Sequence, residues 1–348
     1  MESRTAILKD DIYLQHKTGD FHPESHHRLE VVYEMLQDED MHNTFRVLSP
    51  RPATREELQL NHSSTYIDEV ASTAGRSFCS LDPDTMTSPK SWEAARMAVG
   101  AVLVAVDHVM AGEIKNAFAL VRPPGHHAES NKGKGFCLFN NIAIAARYAC
   151  KKYLLERILI VDWDLHHGNG TQNAFYDDPR ILYFSTHQYP YYPGSGGMEE
   201  DGRGKGRGFT VNVPLPGGQG DHDFAAIFRD ILRPLASQFK PQLILVSAGY
   251  DIYAQDPLGA MDVTPDGFAT LTSLVMDMAR SSCQGKLVIT LEGGYHLNGL
   301  RNSVKATIKE LRGDATGNRF KNEGKASSGT KKIIEKVKQL HKATWSAL

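Results

Sequence analysis

Short apolar runs alternate along this chain with stretches of helical spacing, and that alternation constrains the fold more than any other feature. The runs are 117–121, 158–161, 181–184, 210–213, 243–246 and Leu287–Leu291. Several are apolar at every position, so both faces of the strand must be covered. That is the situation of a parallel strand with helices on either side, since a half-exposed strand would alternate. Helix candidates fill the gaps at 92–110, 141–152, 223–239 and 264–278; in the third, Ile227, Ile231, Leu232 and Leu235 recur at helical spacing. The pattern predicts an α/β fold with a single, mostly parallel sheet sandwiched by helices.

The chain has 348 residues, ample for a large core. A composition break near Arg312 divides it into a main domain, 1–311, and a tail, 312–348. In the tail, 313–330 is small and polar, like a linker, and 331–342 places Ile333, Val337 and Leu340 on one face with lysines elsewhere. A C-terminal helix packed on the same domain is expected there, with a basic partner-binding helix as the alternative. The glycine-rich stretch 194–208 lacks the Gly-Lys-Ser/Thr end of a phosphate loop and runs into a strand, so it reads as a mobile surface loop.

With a net charge of −2, no strong field selects nucleic acid or an anionic membrane. No apolar run approaches a membrane span of about twenty residues, and the N-terminus lacks the apolar core of a signal peptide. Cys79, Cys137, Cys150 and Cys283 lack CxxC spacing and read as free thiols of a reducing compartment. A cytoplasmic protein is expected, with a homo-oligomer left open.

In open α/β sheets, ligands bind beyond the carboxyl ends of the strands. Run 158–161 is followed by Asp162-Trp163-Asp164-Leu165-His166-His167-Gly168-Asn169-Gly170. Asp164 and His166, two apart on an extended segment, point to one side, and an aspartate with a histidine suits a divalent metal. Run 117–121 is followed by Arg122-Pro123-Pro124-Gly125-His126-His127, run 243–246 by Ser247-Ala248-Gly249-Tyr250-Asp251, and Leu287–Leu291 by Glu292-Gly293-Gly294-Tyr295. A catalytic metal takes about three protein ligands and keeps an open position. Asp251, the lone acid after a buried strand, is the best third ligand. Zinc is favoured, with iron(II) or cobalt(II) able to bind a site with two oxygen ligands. His126 and His127 can move protons near neutral pH, with Asp162 and Asn169 as orienting partners. Tyr295 can donate to a developing oxyanion.

These pieces, with Gly135-Phe136-Cys137-Leu138-Phe139-Asn140 and His22-Pro23-Glu24, resemble the zinc-dependent histone deacetylase and acetylpolyamine amidohydrolase superfamily. Asp162-Trp163-Asp164 and Asn169 make the resemblance closest to the class II type. It implies an arginase/deacetylase-like fold and one zinc on Asp164, His166 and Asp251. It further implies His127 as general base and acid, His126 as its electrostatic partner paired with Asp162, Asn169 orienting His127, and Tyr295 polarising the amide carbonyl. A structural potassium ion is implied at the backbone carbonyls of Asp162, Asp164 and His166, with Ser185 and Thr186. By the same analogy Gly135 and Phe136 form one wall of a substrate tunnel. Tyr192 forms the other, where phenylalanine is usual, and Leu258 lies on the rim. Asp82 or Asp84 is the candidate acid for gripping substrate backbone.

Leucine at the rim favours acyl-lysine proteins or peptides, because an acid there goes with acetylpolyamines in the family. Hydrolysis of acetyl (or longer acyl) lysine is therefore expected, with acetylpolyamine hydrolysis as the alternative. Two more distant readings remain. A two-metal ureohydrolase needs more bridging carboxylates than stand here, and a non-catalytic acyl-lysine binder is expected to lack Tyr295 or a histidine.

Overall fold

The computed structural model describes residues 4–314 and 326–348. Most of the polar stretch after Gly313 (315–325) lies outside the described residues, as do residues 1–3. The strands are β1 (Thr5–Leu8), β2 (Arg46–Leu48), β3 (Cys79–Asp82), β4 (Thr85–Thr87), β5 (Asn116–Ala119), β6 (Ile158–Asp162), β7 (Ile181–Gln188), β8 (Thr210–Leu215), β9 (Leu243–Ala248) and β10 (Leu287–Leu291). Eight of them form one sheet in the order β2-β1-β5-β10-β9-β6-β7-β8, and every pairing in it is parallel. Every residue of β1, β5, β6, β9 and β10 is buried, which is why these runs carry no polar face. β3 and β4 form a separate antiparallel hairpin with Pro83 and Asp84 in its turn.

β9 and β10 come last in the chain yet lie between β5 and β6. The four strands whose tails carry ionisable groups are therefore consecutive in the sheet, and their carboxyl ends meet. The register holds them level: Asp162 pairs with Ser185 on β7 and Ser247 on β9, and Thr290 pairs with Ser247.

The helices follow local signals. Asn140 caps Asn141–Tyr153 by accepting from Ala143 N at 3.0 Å. Pro265 opens Pro265–Cys283 behind the Thr264 cap, and Gln284, in the left-handed region, ends it just before Gly285. The expected helix at 223–239 runs from Asp221 to Phe239 and widens to a π turn over Phe228–Leu232. None of the described helices is long and apolar enough to cross a membrane.

Helix Ser328–His341, capped by Ser327, runs along the open edge of the sheet at β8. It buries Ile334 and Val337, whereas Leu340 is 40% exposed. Trp345 follows, packed against Phe209 and Phe239, its Nε1 donating to Gly208 O at 2.7 Å.

Stretch 194–208 departs from the expectation of a mobile surface loop. His167 Nδ1 bonds Ser195 Oγ at 2.8 Å, His187 Nε2 donates to Gly196 O at 2.8 Å, and Glu200 Oε1 accepts from Gly196 N and Gly197 N. A Cβ on Gly196 (φ +90°) would strike the His187 and His167 rings. Glycine serves here for close approach rather than flexibility.

Candidate active site

Asp162 ends β6 fully buried. Its Oδ2 accepts from Tyr183 Oη at 3.0 Å and lies 3.1 Å from His126 Nδ1, and its Oδ1 accepts from Asp164 N at 3.2 Å. Beyond it the chain turns so that Asp164 and His166 face Asp251 from the β9 tail. His166 Nδ1 lies 3.2 Å from Asp164 Oδ1 and 3.1 Å from Asp251 Oδ2. Backbone amides fix both carboxylates: Asp164 accepts from His166 N (2.9 Å) and Gly293 N (2.8 Å), Asp251 from Leu165 N (2.9 Å).

The three candidate donor atoms lie within 4.8 Å of one another, and all three residues are buried. One imidazole nitrogen and two carboxylate oxygens form a set that a divalent cation fits. The backbone leaves room as well. A Cβ at Gly249 would strike Asp164, and one at Gly293 would strike both Asp251 and Asp164.

The two histidines of the β5 tail lie with ring centroids 4.0 Å apart and planes inclined by 44°, but their surroundings drive them in opposite directions. Burial opposes charge on His126, yet the Asp164 and Asp162 carboxylates outweigh it and lift the imidazole to about 10. His127 is pushed well below the ordinary histidine value by burial, then by His126 and His166. Its Nδ1 is committed to Asn169 Oδ1 at 2.8 Å. The surroundings thus favour charge on one imidazole and neutrality on its neighbour.

A pocket of about 90 Å³ opens over these groups. Its floor includes His126, His127, His166 and Tyr295; Gly135, Phe136, Tyr192 and Leu258 line its walls, with Asp84 beside them. Gly135 (φ +56°) and Phe136 (φ +68°) are both left-handed, and a Cβ on Gly135 would run into the His127 ring. Tyr192 stands edge-on to His127 at 5.1 Å, and Phe136 to Tyr295 at 5.9 Å. Tyr295 is half-buried, and the loss of water around its phenol raises it well above the usual range. Asp84 Oδ1 accepts from Gly135 N at 3.1 Å. Asp82 is not part of the lining: one residue before the hairpin turn, its carboxylate pairs with Lys132 at 2.7 Å. Ser185 and Thr186 lie one strand away from β6; Ser185 Oγ bonds His187 Nδ1 at 2.9 Å, and Thr186 Oγ1 is buried without a hydrogen-bond partner among the described residues. A larger cavity, about 540 Å³, lies at the opposite ends of the strands, near Thr5 and Asn116, and holds none of these groups.

Several interactions at the site are not apparent from the strand tails alone. Glu24, fully buried, receives Arg122 at 2.5 and 2.6 Å and Arg28 at 2.9 Å. Arg28 donates onward to Glu292 O and Gly294 O, and its guanidinium lies 5.0 Å from the Tyr295 ring centroid. Glu292 accepts from Gly125 N (2.6 Å), His126 N (3.2 Å) and Ser247 Oγ (2.9 Å), tying the β10 tail to the histidine pair. Asp256 accepts from Tyr295 N at 2.7 Å and Leu258 N at 3.0 Å, so one carboxylate holds rim and phenol together. The fragment His22-Pro23-Glu24 was the available signal for Glu24; nothing local marks Asp256.

A family model described as histone deacetylase domain matches residues 22–311. A polyamine deacetylase HDAC10 from Danio rerio is 39% identical over 363 residues, covering 100% of this chain and 53% of the relative. The chain thus spans about half the length of that protein. A probable deacetylase from Archaeoglobus fulgidus is 41% identical over 299 residues, 85% of this chain and 82% of its own. Among solved structures, a crystal structure of the HDA15 HD domain matches with a TM-score of 0.92 at 36% identity, over 99% of this chain and 96% of that one.

Proposed function

The chain belongs to the histone deacetylase family, and from that premise we propose that it is a zinc-dependent hydrolase that removes acetyl or longer acyl groups from lysine side chains of proteins or peptides. The observation that carries this reading is the meeting of Asp164, His166 and Asp251 next to a narrow pocket that His126, His127, His166 and Tyr295 line. Zinc on those three residues, or iron(II) in its place, would supply polarisation of the amide carbonyl and acidification of a water. Potassium would be held by Ser185 and Thr186 with the carbonyls of Asp162, Asp164 and His166; the unpartnered Thr186 Oγ1 supports a ligand there.

The rest is done by the chain's own groups. His127 keeps its Nδ1 proton toward Asn169, so Nε2 carries the lone pair and takes a proton from water as the oxygen adds to the carbonyl carbon. The Tyr295 hydroxyl donates to the oxygen on which charge develops. His127 then returns the proton to the nitrogen as the C–N bond breaks, releasing amine and carboxylate. His126, paired with Asp162, favours its charged form, steadies negative charge and makes its neighbour a poor place for a second charge. Phe136 and Tyr192 confine a slender alkyl chain and exclude bulk water.

Acetylpolyamine hydrolysis is the second reading, favoured by the printed function of the Danio rerio relative. Leu258 argues against it, because it sets an apolar group on the rim where a polyamine's distal ammonium would want a carboxylate. Side-by-side rates on acetyl-lysine peptide, acetylputrescine and acetylspermidine separate the two. The peptide is expected to lead by at least about tenfold in kcat/KM, the worth of about 1.4 kcal/mol. Faster polyamine turnover would reverse the assignment.

A further inference from the structure

One carboxylate reaches the site only through an amide. Glu129 lies two residues beyond His127, half-buried, its backbone N donating to Lys132 O at 2.8 Å. Its Oε1 accepts from Asn169 Nδ2 at 2.5 Å and from Asn173 Nδ2 at 2.9 Å. The same Asn169 Nδ2 faces His127 O at 3.3 Å, while Asn169 Oδ1 faces His127 Nδ1 at 2.8 Å.

An amide has one donating and one accepting end. With the NH2 end toward two acceptors, the oxygen must face His127, and that puts the ring proton on Nδ1 and the lone pair on Nε2. Turned over, the amide would set its oxygen against a carboxylate and a carbonyl, and its NH2 against Nδ1. The ring would then carry its proton on Nε2, where a base needs its lone pair. A carboxylate in place of Asn169 would look the same either way round and need no such fixing. We infer that Glu129 is a positioning residue that locks the Asn169 amide and, through it, the proton-accepting tautomer of His127. This rests on His127 being the base, as proposed above.

The test is a double-mutant cycle. E129L, similar in bulk but without an acceptor, is expected to lower kcat about tenfold with KM within about twofold, the usual scale for partners that orient a working group. E129Q, whose amide oxygen still accepts, should recover most of that loss. In an Asn169→Asp background the E129L loss should vanish or turn into a gain, because no amide remains to be oriented and two carboxylates no longer repel. Equal losses in both backgrounds would show a merely structural role and overturn the inference. Ring-nitrogen NMR shifts of His127 ask the same question without turnover. The parent should be Nδ1-protonated and E129L a mixture; an unchanged Nδ1-protonated ring in E129L also overturns it. If the parent cleaves neither acetyl-lysine peptide nor acetylpolyamine, the proposed function falls instead; if His127→Ala leaves turnover intact, it is the assignment of the base that falls.

Discussion

In the proposed reaction Tyr295 meets opposing demands: it must keep its proton and yet offer it to an oxyanion. Burial secures the first, and the backbone bond to Asp256 with the Arg28 contact fixes where the hydroxyl sits. Tyr295→Phe should therefore lower kcat on acetyl-lysine peptide by about 10²–10³, with KM and metal content little changed; steady-state rates near the parent's would contradict that role. Residues of this kind were legible in the sequence because each stands within a few positions of a buried strand's end. Glu129 and Asp256 were not, and Glu24 was marked only by the fragment His22-Pro23-Glu24. Glu24 meets Arg122 across 98 positions, and Glu129 reaches Asn169 across 40. A lone glutamate carries no local mark of a distant partner, so only the fold could reveal these pairings.

The central strands were readable because burial on both faces leaves them uniformly apolar. β1 and β2 were missed: each is only three or four residues long, and β2, at the sheet edge, is mixed in polarity. The far edge, β8, is covered by helix Ser328–His341 and Trp345. An uncovered edge invites pairing with other chains, so this tail looks structural first, whatever its exposed lysines do. Trp345→Ala should lower unfolding free energy by about 3–5 kcal/mol, read by urea titration, while the proposed metal site, at the end of β6 and two strands from β8, stays loaded. A variant as stable as the parent would mean that the helix does not hold the edge.

Stability of the whole molecule should depend on pH through histidines that fold in neutral. Burial holds His62 at about 4, and its Nε2 accepts from Asn140 N at 2.9 Å. His16 and His167 are likewise held at about 3, burial being the largest cause for each. The folded pKa lies below the unfolded value of about 6.5. The unfolded chain therefore binds the proton first, and stability present above pH 6.5 is lost as pH falls toward 4. Each such histidine costs about 1.4 kcal/mol per pH unit in that window. His62→Gln, which can still accept from Asn140, should flatten the acid limb of a urea-midpoint profile by one histidine's share; parallel profiles for parent and variant would refute this.

The proposed turnover depends on a divalent cation at Asp164, His166 and Asp251. Metal content and acetyl-lysine peptide turnover, measured together on the parent and Asp164→Ala before chelation, after it and after zinc is returned, test that most directly. One ion per parent chain is predicted, with turnover lost on stripping and regained with zinc, and with neither metal nor turnover in the variant. Undiminished turnover by stripped parent, or a full complement of metal in Asp164→Ala, would contradict it.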